Sequence, residues 1–155
     1  MDQNLLRSYF ATIYELPAEA GVTRVSIDGE VVHDTEKLPP LLRQDFAILT
    51  AYNPRSMLLP RRVNEGRHQV LRDLLVLGCY RVEHCLGYDE EPDGVWREPA
   101  WVVQNIPRDE AIGFGRAFRQ NTIVYCRAAR PELIVTDITL DEIGRSFQGN
   151  WRVRQ

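Results

Sequence analysis

The sequence predicts an α+β fold in which a mostly antiparallel sheet carries its helices on one face. Between residues 46 and 137, short apolar runs rich in β-branched residues alternate with two longer segments of helical periodicity. The resulting order, β-α-β-β-α-β, is the split β-α-β arrangement of ferredoxin-like folds. An Asp-Gly pair at 28–29 predicts a preceding β-hairpin, and a capping-box pattern near residue 139 predicts a following helix.

Length and composition describe an ordinary globular protein. The chain has 155 residues, of which 44% are hydrophobic and 26% are charged. We expect one domain over residues 1–137, with a C-terminal helix and tail over residues 138–155 that pack on it or extend from it. The apolar runs are too short to cross a bilayer, and polar residues stand where a secretory signal would be apolar. The sequence therefore predicts a cytoplasmic protein that does not use the membrane as a partner.

Charge and cysteine spacing argue against several kinds of site. The net charge is −3 and no basic stripe is interleaved with aromatic residues, so we do not expect nucleic acid as a partner. The three cysteines are irregularly spaced, which argues against a disulfide framework. His84 and Cys85 would lie on opposite faces of a strand, so together with Cys79 they are not expected to hold a metal. The sequence does not identify a cofactor.

The N-terminal part is predicted to contain a helix, a strand and the hairpin. Residues 3–16 begin with a helical apolar stripe and end in β-leaning residues, so we expect a short helix that passes into a strand ending at Pro17. Two β-rich segments, residues 23–27 and 30–33, flank the Asp-Gly pair and form the predicted hairpin. Residues 38–43 predict a short helix or turn.

The later elements follow from apolar periodicity and from stop signals. An apolar run over residues 46–52 ends at Asn53-Pro54, and because proline biases the preceding residue toward extended backbone, we expect this strand to reach Asn53. A helical stripe from Arg61 to Leu77 is followed by Gly78 as a stop. We further predict strands at residues 80–86, 96–106, 122–127 and 132–137, helices at residues 108–118 and 139–147, and a loose basic tail.

Several polar side chains are predicted to meet at one end of this sheet. In the predicted order, the first strand ends where the first helix begins, where the third strand begins and where the second helix ends. Arginines near the start of the first helix could hold an anion there. The candidate ligand-binding residues are Tyr52, Asn53, Asn64, Arg67, Trp96, Glu98 and Gln120, with Arg61 and Arg62 nearby.

Each of these residues also has an ordinary structural interpretation. Asn53 could cap a turn, and Asn64 could satisfy free amides in the first turn of its helix. Glu98 could form a surface ion pair, and Gln120 could cap the end of its helix. Trp96 could be a plain core or rim aromatic residue. We favour a site because several polar groups that converge in a cleft are the usual construction of one.

Five short motifs together resemble a bacterial family of short proteins, catalogued as domain-of-unknown-function family 3293. They are Y-x2-T-x-Y (residues 9–14), T-A-Y-N-P (50–54), N-x6-L-x2-L-L-x2-G (64–78), D-G-x-W-x-E-P (93–99) and A-x6-F-x-Q (111–120). The resemblance covers roughly residues 9–135 and departs from the family at Arg119, where members often carry glycine. It implies no activity, so it supports the element boundaries and the choice of residues only.

Three functions are compatible with these residues. The first is a binding module for a small polar, nucleotide-like ligand, in which mixed donors and acceptors hold the ligand and arginines hold a phosphate. The second is an enzyme that uses Glu98 as general acid or base. The third is a regulatory domain that binds a protein partner through a sheet edge or through the acidic loop near residues 89–93. That loop could also bind a hard cation, although a solvated run of charges is the commoner explanation.

Overall fold

The computed structural model describes residues 1–89 and 96–155. Within them the chain forms three α-helices and nine β-strands. The helices are Gln3–Ala11 (α1), Arg61–Leu77 (α2) and Arg108–Ala117 (α3). The strands are Ile13–Ala18 (β1), Gly21–Ser26 (β2), Phe46–Leu49 (β3), Val82–Tyr88 (β4), Arg97–Gln104 (β5), Thr122–Arg127 (β6), Arg130–Val135 (β7), Ser146–Gln148 (β8) and Arg152–Arg154 (β9). No helix in the described residues is long and apolar enough to cross a membrane.

The predicted ferredoxin-like split β-α-β fold is wrong. All nine strands belong to one antiparallel sheet, in the order β8-β7-β6-β3-β5-β4-β1-β2-β9. The terminal segments add strands beyond both edges of the predicted unit, so the sheet becomes a half-barrel rather than a flat layer. The helices also do not share one face, because α1 packs on the concave side while α2 and α3 cover the convex side.

The C-terminal segment holds the two edges of the half-barrel together. Strands β8 and β9 lie at opposite edges of the sheet, yet only residues 149–151 separate them, at about 3.8 Å per residue. The backbone N–H of Gly149 donates to the carbonyl of Pro131 at 2.9 Å, and that of Asn150 donates to the carbonyl of Ile27 at 3.0 Å. The predicted loose tail is therefore a structural part of the sheet.

The helix predicted over residues 139–147 is also wrong, and this stretch forms turns followed by β8. The hydroxyl of Thr139, which the capping box needs, donates instead to Oδ1 of Asp137 at 2.7 Å. Gly144 has a φ of 79°, a conformation that a right-handed helix does not contain. A four-residue local pattern was outweighed by pairing to β7, as tertiary context often overrides propensity. The domain division at residue 137 stays a prediction.

The N-terminal hairpin is real, but it lies elsewhere in the chain. Strands β1 and β2 pair through a turn between Ala18 and Gly21, whereas residues 30–33 form no strand. Gly29 serves a different purpose, because its N–H donates to the carbonyl of Asn150 at 2.9 Å. A Cβ on Gly29 would come within 2.5 Å of the carbonyl oxygen of Trp151. The glycine is thus explained by the close approach of the C-terminal segment rather than by a hairpin turn.

The sheet separates two hydrophobic cores, because alternate residues of each strand point to opposite faces. The concave core includes Leu16, Val25, Phe46, Ile48, Val102 and Trp151, with Tyr9 and Phe10 of α1 packed on it. The convex core includes Leu49, Leu71, Leu75, Val103, Ile106 and Ile123 beneath α2 and α3. In β3, for example, Phe46 and Ile48 face inward while Ala47 and Leu49 face the helices.

Two glycines of α3 give a matched test of how closely this helix approaches the sheet. A Cβ on Gly115 would lie 2.7 Å from Cγ2 of Ile123, whereas a Cβ on Gly113 would meet nothing within 4 Å. We expect Gly115→Ala to lower the free energy of unfolding by about 1–3 kcal/mol through overpacking. Gly113→Ala should raise it by about 0.5–1 kcal/mol, since alanine loses less entropy in a helix. Urea denaturation measures both, and equal effects would contradict the close packing.

Candidate functional site

A cavity of about 290 Å³ opens on the concave face of the sheet, between α1 and the ends of the central strands. This volume is at the lower end of the range for small-molecule sites, about 300–1,000 Å³. Its walls are apolar at Leu5, Ile48, Leu58, Ala100 and Val124. Its polar and aromatic lining includes Ser8, Tyr9, Thr12, Tyr14, Asn53, Asp89, Trp96, Glu98, Gln120 and Asn121.

Asn53 connects three segments of the chain at the rim of this cavity. Its Oδ1 accepts hydrogen bonds from the N–H of Leu59 at 3.0 Å and from Nδ2 of Asn64 at 2.8 Å. Its Nδ2 donates to Oε1 of Glu98 at 2.9 Å, and its backbone N–H donates to Oδ1 of Asn64 at 2.9 Å. Asn64, which is buried, therefore positions Asn53 from α2, and Asn53 in turn positions Glu98.

The proline after Asn53 predicts an extended backbone at this residue, but the observed backbone is not extended. Its φ of 44° and ψ of 64° place it in the left-handed region, and β3 already ends at Leu49. Asparagine enters this region more readily than most residues. The hydrogen bonds of Asn53 to Leu59, Asn64 and Glu98 offset the free-energy cost of this left-handed conformation.

Glu98 is the buried carboxylate of the site. Its side chain lies among residues that line the cavity, and only 7% of Glu98 is exposed. Oε1 accepts from Nδ2 of Asn53 and, at 3.0 Å, from Nε1 of Trp96. No described residue donates to Oε2. Burial raises the pKa of Glu98, although the bonds from Asn53 and Trp96 oppose part of that rise.

The remaining predicted residues lie near this network but do not all face the cavity. Nε2 of Gln120 donates to the carbonyl of Tyr52 at 3.1 Å, which ties the end of α3 to the segment after β3. The ring of Tyr52 packs edge-on against His68 outside the cavity. Arg67 donates to the carbonyls of Ala51 and Phe118, both at 2.7 Å, so it holds loops together. The role of the predicted set in ligand binding stays a prediction.

The predicted anion site at the start of α2 receives no support from this arrangement. Arg61 forms a hydrogen-bonded pair with Glu65 on the exposed surface of its own helix. Arg62 is exposed and does not line the cavity, and Arg67 is occupied by two backbone carbonyls.

Sequence reasoning missed the wall of the cavity that the N-terminal segment provides. The cavity is lined by Tyr9 of α1, by Thr12, which follows that helix, and by Tyr14 of β1. The hydroxyl of Tyr9 accepts a hydrogen bond from Nδ2 of Asn121 at 3.0 Å. Burial, with the nearby Cys85 and Glu98, raises the pKa of Tyr14 well above its usual range, so this hydroxyl stays protonated. The signal was the Y-x2-T-x-Y motif, which the sequence offered only as part of a family resemblance.

Other sequence hypotheses concern residues at the margin of the site. Cys85 is buried in the concave core while His84 packs against Trp101, so the two lie on opposite faces of β4. Among the described residues, no group of three metal-binding side chains is close enough to hold an ion. The hypothesis of a cation in the acidic loop rests largely on Glu90, Glu91 and Asp93, which lie outside the described residues.

His68 packs on the convex side and should make the protein sensitive to acid. It stacks on Trp101 with ring centroids 4.2 Å apart, and burial together with His84 lowers its pKa to about 4. Because the folded state favours the neutral imidazole, this contribution to stability is present above pH 6.5 and is lost as the pH falls through 4. A fall in pKa from 6.5 to about 4 corresponds to roughly 3–4 kcal/mol, which solvent screening at this half-buried ring should reduce to about 2–3 kcal/mol. We expect His68→Phe to flatten this acid limb in urea titrations between these pH values, whereas the exposed His33→Phe should leave it unchanged.

Comparison with known proteins relates this site to a family. Residues 49–123, just under half of the chain, match the family model described as "Protein of unknown function (DUF3293)". Comparisons with curated proteins and with solved structures found no match. The matched span contains Asn53, Asn64, Trp96, Glu98 and Gln120, while Tyr9, Thr12 and Tyr14 precede it. The resemblance inferred from the motifs is thereby confirmed, and the segment from β3 to the start of β6 carries the DUF3293 family pattern.

Proposed function

We propose that the protein is a binding module for a small polar molecule, of about the size of a nucleobase, held in the cavity on the concave face. The observation that carries this proposal is the arrangement of Glu98. One oxygen of its carboxyl is fixed by Asn53 and Trp96, while no described residue donates to the other. Because Glu98 lines the cavity, this second oxygen can accept a hydrogen bond from a ligand that carries an N–H or O–H group.

The rest of the cavity supports this proposal. Apolar walls at Ile48, Ala100 and Val124 can exclude water from a ligand, and a few polar groups around them can fix its orientation. The hydroxyl of Tyr9 already accepts a hydrogen bond from Asn121, so its own proton is left to donate.

A thermal-shift screen of small polar compounds, including nucleobases, nucleosides and amines, tests the proposal. A ligand present at 100 times its Kd should stabilise the folded protein by about 2.7 kcal/mol. We expect Glu98→Gln to abolish the shift for a compound that the wild type binds. Glu83→Gln is the matched control, because Glu83 lies on the neighbouring β4, pairs with Arg81 and does not line the cavity. Loss of binding in both variants, or in neither, would contradict the proposed role of Glu98.

An enzyme is the second candidate, and the raised pKa of Glu98 favours it. A carboxyl that can be protonated nearer neutral pH is suited to general acid or base catalysis. In that case Glu98→Gln should retain ligand binding and lose turnover, whereas a pure binding module shows no turnover in the wild type. The protein-partner hypothesis stays a prediction.

We also propose that the protein is bacterial and works in the cytoplasm. Its cysteines are free, and Cys79 is exposed, as is common in a reducing compartment. Fractionation of cells that express the native chain tests this placement.

A further inference from the structure

We infer that the cavity selects a small organic cation, such as a primary amine or an amidine with a compact hydrocarbon body. This inference rests on the proposed function and specifies the class of ligand. It follows from the charges that line the cavity, from its aromatic walls and from the positions of the nearby arginines.

The described part of the lining carries negative charge without positive charge. Glu98 and Asp89 both line the cavity, and none of the described lining residues is Lys, Arg or His. Oδ1 of Asp89 is buried and has no hydrogen-bond partner among the described residues. Glu98 is more than nine-tenths buried, and its Oε2 likewise receives no bond from a described residue. A cation would bind the two carboxylate oxygens that receive no hydrogen bond from the described residues. An anion would instead meet two carboxylates without a compensating positive charge in the described lining.

Three arginines of the neighbouring segments contact other groups. Arg67 donates to two backbone carbonyls, as described above. Arg55 pairs with Asp137 at 3.3 Å, and the guanidinium of Arg97 lies over the ring of Tyr88 at 5.4 Å. None of the three lines the cavity. A phosphate-bearing ligand would therefore find no cationic side chain in the described lining of the cavity.

Aromatic rings form part of the wall next to Glu98. Gly87 lies opposite Glu98 in the β4–β5 pair and carries no side chain, so the rings of Tyr14 and Trp96 can lie close to its backbone. A Cβ at this position would contact Cε1 of Tyr14 at 3.4 Å and Cη2 of Trp96 at 3.7 Å. Together with Tyr9, these aromatic residues line the cavity beside a carboxylate, and aromatic rings next to a carboxylate are a combination that recognises ammonium and amidinium groups.

Three matched compounds test the inference by isothermal titration calorimetry: benzylamine, benzyl alcohol and benzoate. They share a ring and differ in charge at neutral pH. We expect the amine to bind at least tenfold more tightly than the alcohol, and benzoate not to bind. Equal affinity for the amine and the alcohol would overturn the selection of charge but leave the proposed binding function intact. Binding of benzoate more tightly than benzylamine would also overturn the inferred selection of a cation.

Variants separate the charge effect from the shape of the cavity. Glu98→Gln should weaken benzylamine at least tenfold while the affinity for benzyl alcohol changes less than threefold, and Glu83→Gln should change neither. Asp89→Asn provides a second test if Glu98→Gln does not fold, with a smaller loss for the amine alone. Unchanged amine affinity in the folded carboxylate variants would overturn the inference. If none of the three compounds binds and the broad screen also finds no ligand, the proposed function fails together with it.

Discussion

Asn53→Ala is expected to lower the free energy of unfolding by about 3–4 kcal/mol, because several hydrogen bonds are lost together. The substitution removes the hydrogen bonds that Asn53 makes with the Leu59 N–H, with Nδ2 of Asn64 and with one oxygen of Glu98. Nδ2 of Asn64 keeps the carbonyl of Leu59, and Glu98 keeps Trp96. A lost hydrogen bond costs about 0.5–1.5 kcal/mol, and about 1.5–3 kcal/mol when one partner is charged. Alanine must also adopt the left-handed backbone, at a cost of about 1–2 kcal/mol.

Asn105→Ala is the matched control for the backbone contribution. Asn105 has a similar φ of 55°, but it is exposed and follows β5 at the opposite end of the strand from Glu98. We expect it to lose only about 1 kcal/mol, the cost of the left-handed conformation. Urea denaturation of both variants gives the difference that belongs to the side-chain network. Equal losses would show that the bonds of Asn53 contribute nothing to stability.

Trp151→Ala is expected to cost about 3–5 kcal/mol, the usual penalty for removing a large buried aromatic side chain. Trp151 is 3% exposed and stacks on Phe46 with ring centroids 5.8 Å apart. The cavity left behind would open the concave core where the C-terminal segment joins the two edges of the half-barrel. For a chain of this length the loss corresponds to a fall in Tm of about 10 °C.

Two further variants make this result specific to the core. Trp151→Phe retains an aromatic ring that can stack on Phe46, so it should lower the free energy of unfolding by less than half as much as Trp151→Ala. Val153→Ala changes an exposed side chain of the same segment, 46% exposed, and should alter stability by less than about 1 kcal/mol. Differential scanning calorimetry measures all three. A negligible effect of Trp151→Ala would mean that the tail is loose, as its composition had suggested.

Several parts of the fold and site could be predicted because their signals are local. The helical stripe and the glycine stop define α2 from Arg61 to Leu77, and a short apolar run rich in β-forming residues defines β6 from Thr122 to Arg127. Chain direction alone indicated that Asn53, Asn64 and Glu98 should approach one another, since they follow or begin consecutive elements. The structure brings them into hydrogen-bond contact.

Other predictions failed where the decisive contact is distant in sequence. Asp28-Gly29 has the pattern of a hairpin turn, yet Gly29 makes room for Trp151, more than a hundred residues away. Thr139 and Glu142 have the pattern of a helix start, yet the segment leads into β8, which pairs with β7. Neither the contact of Gly29 with Trp151 nor the pairing of β8 with β7 leaves a periodic pattern in the local sequence. Local propensity alone therefore favours a hairpin turn in the first case and a helix in the second.

By itself, the sequence determined the three observed α-helices, most of the strands, the resemblance to a family and the polar residues at one end of the central strands, because each depends on spacing within a few turns or on chain direction. Only the tertiary structure decided that the sheet extends to nine strands and curls into a half-barrel, because that depends on pairing between the two ends of the chain. The tertiary structure also decided that Tyr9, Thr12 and Tyr14 complete the cavity, because the pairing of β1 with β4 brings the N-terminal segment to the same cavity as Glu98.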